Sequence, residues 1–165
     1  MKKTVVSLLA MAALFACSHA PQAPPDPVTV AFVGDQGIKD NSRKLLELIK
    51  LEGADAVVHQ GDFDYKHDPE GWDGMITDIL GSDFPYFGSA GNHDVKAWDG
   101  YQKVLEDRLK RIDLPWEGRL GIKSKVNWRG LSIVLVAPDV FEEDHDVFVR
   151  EAFAEEPAIW RITSW

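Results

Sequence analysis

The chain has 165 residues, 45% of them hydrophobic, which is enough for one folded domain and too few for two. Asp and Glu outnumber Lys and Arg, 27 to 18, giving a formal charge of −9. That balance argues against nucleic acid or an anionic membrane surface as the main partner, because both are bound through excess Lys and Arg, whereas it is compatible with binding cations.

Residues 1–16 begin with Lys2 and Lys3 and continue as an apolar run from Val5 to Ala16, the layout of a bacterial-type export signal. The run is short for a membrane span, which needs ~20 apolar residues. Leu14-Phe15-Ala16-Cys17 resembles a lipoprotein signal box, in which the cysteine is lipidated and becomes the new N-terminus. Cys17 is the single cysteine, so no internal disulfide competes for it; the alternative is an ordinary cleaved signal with Cys17 as a small residue near the cut. The expectation is an exported protein, lipid-anchored through Cys17 to the periplasmic or outer face of a bacterial membrane. Residues 17–27 are rich in proline and read as an extended tether, with the folded domain at 28–165. Losing Lys2 and Lys3 with the signal moves the formal charge from −9 to −11.

Val28 to Val33 is a β-branched apolar run that reads as a buried strand ending at Gly34-Asp35. Asp40 or Asn41 can cap a helix with Leu45, Leu48 and Ile49 on one face, and Gly53 suits its stop. A second apolar strand, Ala56 to Gln60, ends at Gly61-Asp62. A helix is expected from about Gly71 to Leu80, then a strand from Phe84 to Gly88 leading to Gly91-Asn92-His93-Asp94. Trp98, Tyr101, Leu105 and Ile112 lie at helical spacing. Val126 to Leu131 and Ser132 to Ala137 read as two strands meeting at a turn on Arg129-Gly130, Glu142 to Phe153 as a helix, and Trp160 to Trp165 as strand-like. Strands alternating with helices in this way form βαβ units, so the fold class is α/β with a largely parallel sheet flanked by helices.

In such sheets ligands bind beyond the carboxyl ends of the strands, where the connecting loops emerge. The first three strands each end in glycine followed by an oxygen ligand, so three loops can bring Asp35, Asp62 and Asn92 toward one point. Oxygen donors suit hard or borderline cations. A single Gly-Asp is more often turn chemistry than a ligand; three in series at strand ends reverse that reading.

Gly34-Asp35-Gln36-Gly37, Gly61-Asp62-Phe63-Asp64-Tyr65 and Gly91-Asn92-His93-Asp94 resemble, in order and spacing, the first three blocks of the calcineurin-like metallophosphoesterases. The nearest form is the purple acid phosphatase pattern DxG, GDxxY, GNH(D/E), and the resemblance covers most of the chain from Val28 onward. It implies a site for two metal ions, Fe(III) and a divalent ion (Fe, Zn or Mn), acting on a phosphate-ester substrate. Asp35 would hold the first metal, Asp62 would bridge both, and Asn92 would hold the second. Gly37 stands where many relatives have histidine, and Tyr65 would compensate with a phenolate; its alternative is a rim aromatic. His93 would sit by the leaving group, with the Asp94 carboxylate orienting and charging it. His59 is expected in the core, His67 on a solvated loop, and His145 on a solvated acidic face. The six tryptophans are expected in core or rim packing.

Members of the family draw further metal-binding histidines from blocks resembling VxxH and GHxH, and no GHxH occurs here. The expectation is therefore a C-terminally truncated phosphoesterase, active in its intact form. The alternatives are a catalytically dead surface lipoprotein that uses the fold as a binding module, and a metal-scavenging anchor. The DNA beyond codon 165 separates the first from the other two.

Overall fold

The computed structural model describes residues 27–154 and 158–165. The export signal, Cys17 and nearly all of the tether lie outside those residues.

The elements run β1 (Val30–Val33), α1 (Asp40–Leu51), β2 (Ala56–Gln60), α2 (Pro69–Leu80), β3 (Tyr86–Ser89), a short 3-10 turn (Val95–Ala97), α3 (Trp98–Arg111), β4 (Trp116–Arg119), β5 (Lys123–Trp128), β6 (Leu131–Val136), α4 (His145–Ala154) and β7 (Trp160–Ser164). The strands divide into two sheets. One is wholly parallel in the order β1-β2-β3, and the other runs β4-β5-β6-β7. In the second sheet β4, β5 and β6 are antiparallel to one another, and β7 joins β6 in parallel. The α/β class and the parallel sheet are as the sequence indicates; the strand order of the second sheet is added by the structure.

Helix α1 starts at Asp40 rather than using it as a cap, and the Ser42 hydroxyl accepts from the Lys39 backbone amide at 3.2 Å. Its buried stripe is Ser42, Leu46 and Ile49, while Leu48 stays half exposed, so the inward face is rotated from the expected one. Gly53, with φ +68°, follows the last turn and gives it the left-handed exit that glycine tolerates best. Helix α2 begins two residues before the expected start, because Asp68 caps it by accepting from the Gly71 amide and Pro69 fits the first turn. Strand β4, with Glu117, Gly118 and Arg119, has no apolar alternation to mark it in the sequence. The β5–β6 turn is a two-residue one, with Trp128 paired to Leu131 and both Arg129 and Gly130 at positive φ, the twist a tight hairpin requires.

Register explains the layering. Ala31, Val57 and Tyr86 are aligned across the parallel sheet and face the helices, where Tyr86 meets Trp72 of α2 edge-on at 5.4 Å. Phe32, Val58 and Phe87 are aligned on the opposite face, and Phe87 meets Trp128 of the second sheet at 5.8 Å. All six residues of β6 are buried, as expected for a strand covered by the first sheet on one face and by α4 on the other. The layers are thus helices, sheet, sheet, helix. No helix among the described residues is long and apolar enough to cross a membrane.

Two polar ties fasten the elements to one another, one buried and one at the surface. Arg108 of α3 is fully buried and donates to the Asp73 carboxylate at 2.6 Å, the Asp73 carbonyl at 3.1 Å and the Thr77 hydroxyl at 2.7 Å, clamping α3 to α2. Asp55 accepts from the Thr29 amide and from Arg129, which fastens the start of β1 to the hairpin turn of the other sheet. The Thr29 amide is the main reason the Asp55 carboxyl titrates below its usual range.

Candidate metal centre

Because β1, β2 and β3 are parallel neighbours in register, with Val33 beside His59 and His59 beside Gly88, their carboxyl ends open on one edge. The loops carrying Asp35, Asp62 and Asn92 leave from that edge. Backbone bonds join them: the Asp35 amide donates to the Gly61 carbonyl, and the Gly37 amide donates to the Phe63 carbonyl. A Cβ on Gly61 would stand 2.7 Å from Gly91 Cα, and one on Gly91 would stand 2.2 Å from Asp62 Oδ1. Only hydrogen at both positions lets the second and third loops touch.

Asp35 and Asp62 have φ of +52° and +57°, left-handed conformations uncommon outside glycine and asparagine. Each costs on the order of 1 kcal/mol and persists where the surroundings over-determine it. These conformations put both carboxylates beside Tyr65, whose hydroxyl lies 2.5 Å from Asp35 Oδ1 and 3.3 Å from Asp62 Oδ2. The short bond to Asp35 is the main reason the phenol's pKa is raised; the two carboxylates hold its proton. The His93 ring meets Tyr65 edge-on at 4.8 Å, and the His93 amide donates to Asp62 Oδ1. Asp35, Tyr65, Asn92 and His93 are exposed, so the site is an open rim.

Asp94 takes a different part from the expected one. Its carboxylate is turned inward and wholly buried, where Oδ2 accepts from the Asp62 and Gly91 amides at 2.9 and 2.8 Å and Oδ1 accepts from the Phe63 amide at 2.9 Å. Those bonds join the second loop to the third and leave the imidazole of His93 without Asp94 as orienting partner. The physical reason is local: three converging backbone donors inside a dry pocket outcompete a single exposed ring. Burial dominates its titration and pushes the carboxyl up to about 6, against the opposing pull of the three amides.

Asp64, assigned no role from the sequence, is also buried and holds the Tyr65 loop from below. It accepts from the Lys66 and Asp68 amides and, at 2.6 Å, from the Tyr101 hydroxyl of α3. Amides two and four residues after an aspartate are an Asx-turn signal, legible in principle. Two of the remaining histidines fall as read, His59 fully buried and His67 exposed, whereas His145 is not on a solvated face: it is half-buried at the start of α4, where its Nε2 lies 2.6 Å from the Phe141 carbonyl and draws the ring inward. Trp72 and Trp98 are core, Trp116 and Trp128 are half-buried, and Trp160 and Trp165 are exposed.

Comparison with known proteins decides the lineage. The calcineurin-like phosphoesterase family profile matches residues 14–163. The chain belongs to that family. Among solved structures it resembles a purple acid phosphatase from yellow lupin (Lupinus luteus) seeds, at 16% identity and a TM-score of 0.58. The match covers 85% of this chain and 31% of the lupin enzyme, and at that identity it speaks for the fold alone. No curated protein sequence matches. Calcineurin-like phosphoesterases hydrolyse phosphoesters at a two-metal site, and the residues gathered here fit part of such a site. Two carboxylates and a phenol oxygen crowd around one shared proton, an all-oxygen set suited to a hard cation. Among the described residues no group of three or more His, Cys, Asp or Glu stands in metal-binding arrangement.

Proposed function

We propose that this chain forms the N-terminal part of an exported, lipid-anchored metallophosphoesterase that holds Fe(III) and a divalent ion and hydrolyses a phosphate ester. The observation that carries the reading is the meeting of Asp35, Asp62 and Tyr65 oxygens at the open ends of three parallel strands. Asp35 and Tyr65 would hold the ferric ion, Asp62 would bridge, and Asn92 would hold the second ion, with further ligands supplied by the rest of the longer protein. Bound there, the two cations supply acidified water and charge stabilisation for a phosphoryl group. His93, exposed beside Tyr65, would donate a proton or hydrogen bond to a leaving-group oxygen. Asp94 and Asp64 hold the loops that carry these groups.

The test pairs metal content with turnover. The 165-residue chain alone is expected to bind metal weakly and to show little phosphatase activity, because each ion's ligand set is incomplete. In the whole protein, Asp62→Asn is expected to lose both ions together with activity. His93→Ala is expected to keep the ions and slow the chemical step by ~10²–10⁴-fold. Tyr65→Phe should remove any phenolate-to-iron colour and leave the fold intact. Loss of metal in His93→Ala as complete as in Asp62→Asn would overturn these assignments. The alternative is a surface lipoprotein that uses the fold for binding without turnover. Metal-independent ligand binding by the whole protein would select it.

The anchor has its own test. Mass spectrometry of the mature protein is expected to find Cys17 as a lipid-modified N-terminus, and an unmodified start at any other residue removes the anchor from the proposal.

A further inference from the structure

Beneath the rim lies a set of buried polar groups that the phosphoesterase reading does not use. His59 of β2, Tyr86 of β3 and Gln36, which follows Asp35, are aligned in a chain through the core on the helix side of the parallel sheet. The Tyr86 hydroxyl donates to Gln36 Oε1 at 2.7 Å and lies 2.8 Å from His59 Nδ1. Since Tyr86 has one hydrogen and gives it to Gln36, His59 Nδ1 carries the hydrogen that reaches Tyr86. The order is His59 to Tyr86 to Gln36. Burial lowers the His59 pKa to about 3, so the ring stays neutral and the direction of the chain does not change at working pH. His59 is itself enclosed by Phe63 at 4.7 Å and Trp72 at 6.1 Å, which leaves it little freedom to turn.

Polar groups placed in a core without need are costly, and here two strands spend buried side chains on one glutamine. The glutamine's backbone explains the expense. Its carbonyl accepts from the Ser42 hydroxyl at 2.6 Å, the preceding amide of Asp35 is tied to Gly61, and the following amide of Gly37 is tied to Phe63. Gln36 is therefore the point at which a strained loop, with Asp35 at φ +52°, is held from the core.

We propose that His59, Tyr86 and Gln36 form a positioning relay that holds the Asp35 loop in its left-handed conformation and so sets where the Asp35 carboxylate stands relative to Asp62. The relay touches no ligand atom. Its effect on cation binding rests on the metallophosphoesterase reading, whereas its effect on the loop does not.

The experiment uses the 165-residue chain, with Tyr86→Phe and Gln36→Met as variants that keep volume and remove the central and terminal links. Amide hydrogen exchange of the metal-free protein is read at Asp35 and Gly37, with Leu105 and Leu109 of α3 as internal reference. Exchange at Asp35 and Gly37 is expected to rise about tenfold in either variant, as for the loss of one buried hydrogen bond, while the reference amides stay within about twofold. Mn²⁺ titration, followed by paramagnetic broadening around Asp35 and Asp62, is expected to show about tenfold weaker binding in both variants. The double variant no longer strands the Gln36 oxygen, although His59 Nδ1 stays unpaired, and is expected to be more stable than Tyr86→Phe alone without regaining Mn²⁺ affinity. A rise in exchange shared equally by Leu105 and Leu109, or affinity that recovers together with stability, would reduce the three residues to ordinary core packing and overturn the proposal. If Mn²⁺ leaves the wild-type signals at Asp35 and Asp62 sharp, the metal reading fails, and the exchange rates alone still decide the relay.

Discussion

Asp73→Ala is expected to destabilise the protein more than Arg108→Met, although Arg108 is the more buried partner. The Arg108 side chain is completely enclosed, whereas the Asp73 side chain keeps 27% of its surface in water. Removing Asp73 strands a guanidinium among the neutral Thr77 hydroxyl and two carbonyls, and burial already pulls the Arg108 pKa downward. Breaking a buried pair from one side costs about 3–5 kcal/mol, a large part of the ~5–15 kcal/mol that holds a typical domain. Arg108→Met removes the enclosed charge and keeps much of the volume. It leaves Asp73 partly solvated and within 4.0 Å of Arg111, which can share the charge. Its expected cost is about half as large. Thermal unfolding of both variants checks the order: at ~2–4 °C per kcal/mol for a chain of this size, the Asp73 variant should melt ~6–20 °C below wild type. The opposite order would mean that lost packing outweighs the stranded charge.

Asp94→Asn is expected to be nearly as costly, for a different reason. The carboxylate offers two oxygens to three amides, those of Asp62, Phe63 and Gly91, and none of the three has another partner in its loop to fall back on. An asparagine oxygen can serve two of them at most, and its amide nitrogen then faces the third donor to donor. With hydrogen bonds to a charged acceptor at ~1.5–3 kcal/mol each, a loss of about 3 kcal/mol is expected. The stability loss should come with weaker cation binding, since the second and third loops part. His93→Ala, by contrast, should leave the melting temperature within about 2 °C of wild type, because that ring is exposed. Equal melting temperatures for Asp94→Asn and wild type would return Asp94 to the role of an imidazole partner.

The contrast between Asp94 and Asp62 shows how far the sequence was legible. The glycine-flanked ligands at three strand ends could be read because strand, turn and glycine each leave a local mark, and parallel register then does the rest of the gathering. Strands β1, β2 and β3 and helices α1 to α3 were legible from apolar spacing for the same reason. What the sequence did not disclose is which way a side chain turns at its loop. Asp94 next to His93 looks like a dyad in one dimension, and only folding brings the Asp62 and Phe63 amides of the β2 loop to join that of Gly91 in drawing it inward. The bonds of Asp64 with Tyr101, Gln36 with Tyr86, and Tyr86 with His59 were silent because the partners lie 37, 50 and 27 residues apart in the chain. Strand β4 was silent because it pairs through its backbone and buries little.

The two sheets also have borders. Strand β1 ends one sheet and β7 ends the other, and among the described residues neither has a neighbour on its outer side. Beside those borders Phe32 is 53% exposed and Trp160 67%. A flat backbone edge with an aromatic next to it is adhesive toward any extended peptide, another copy included. Solubility of this chain is accordingly a contest between edges that invite strand pairing and a formal charge of −9 that keeps copies apart, a contest that added salt tips toward association by screening the charge.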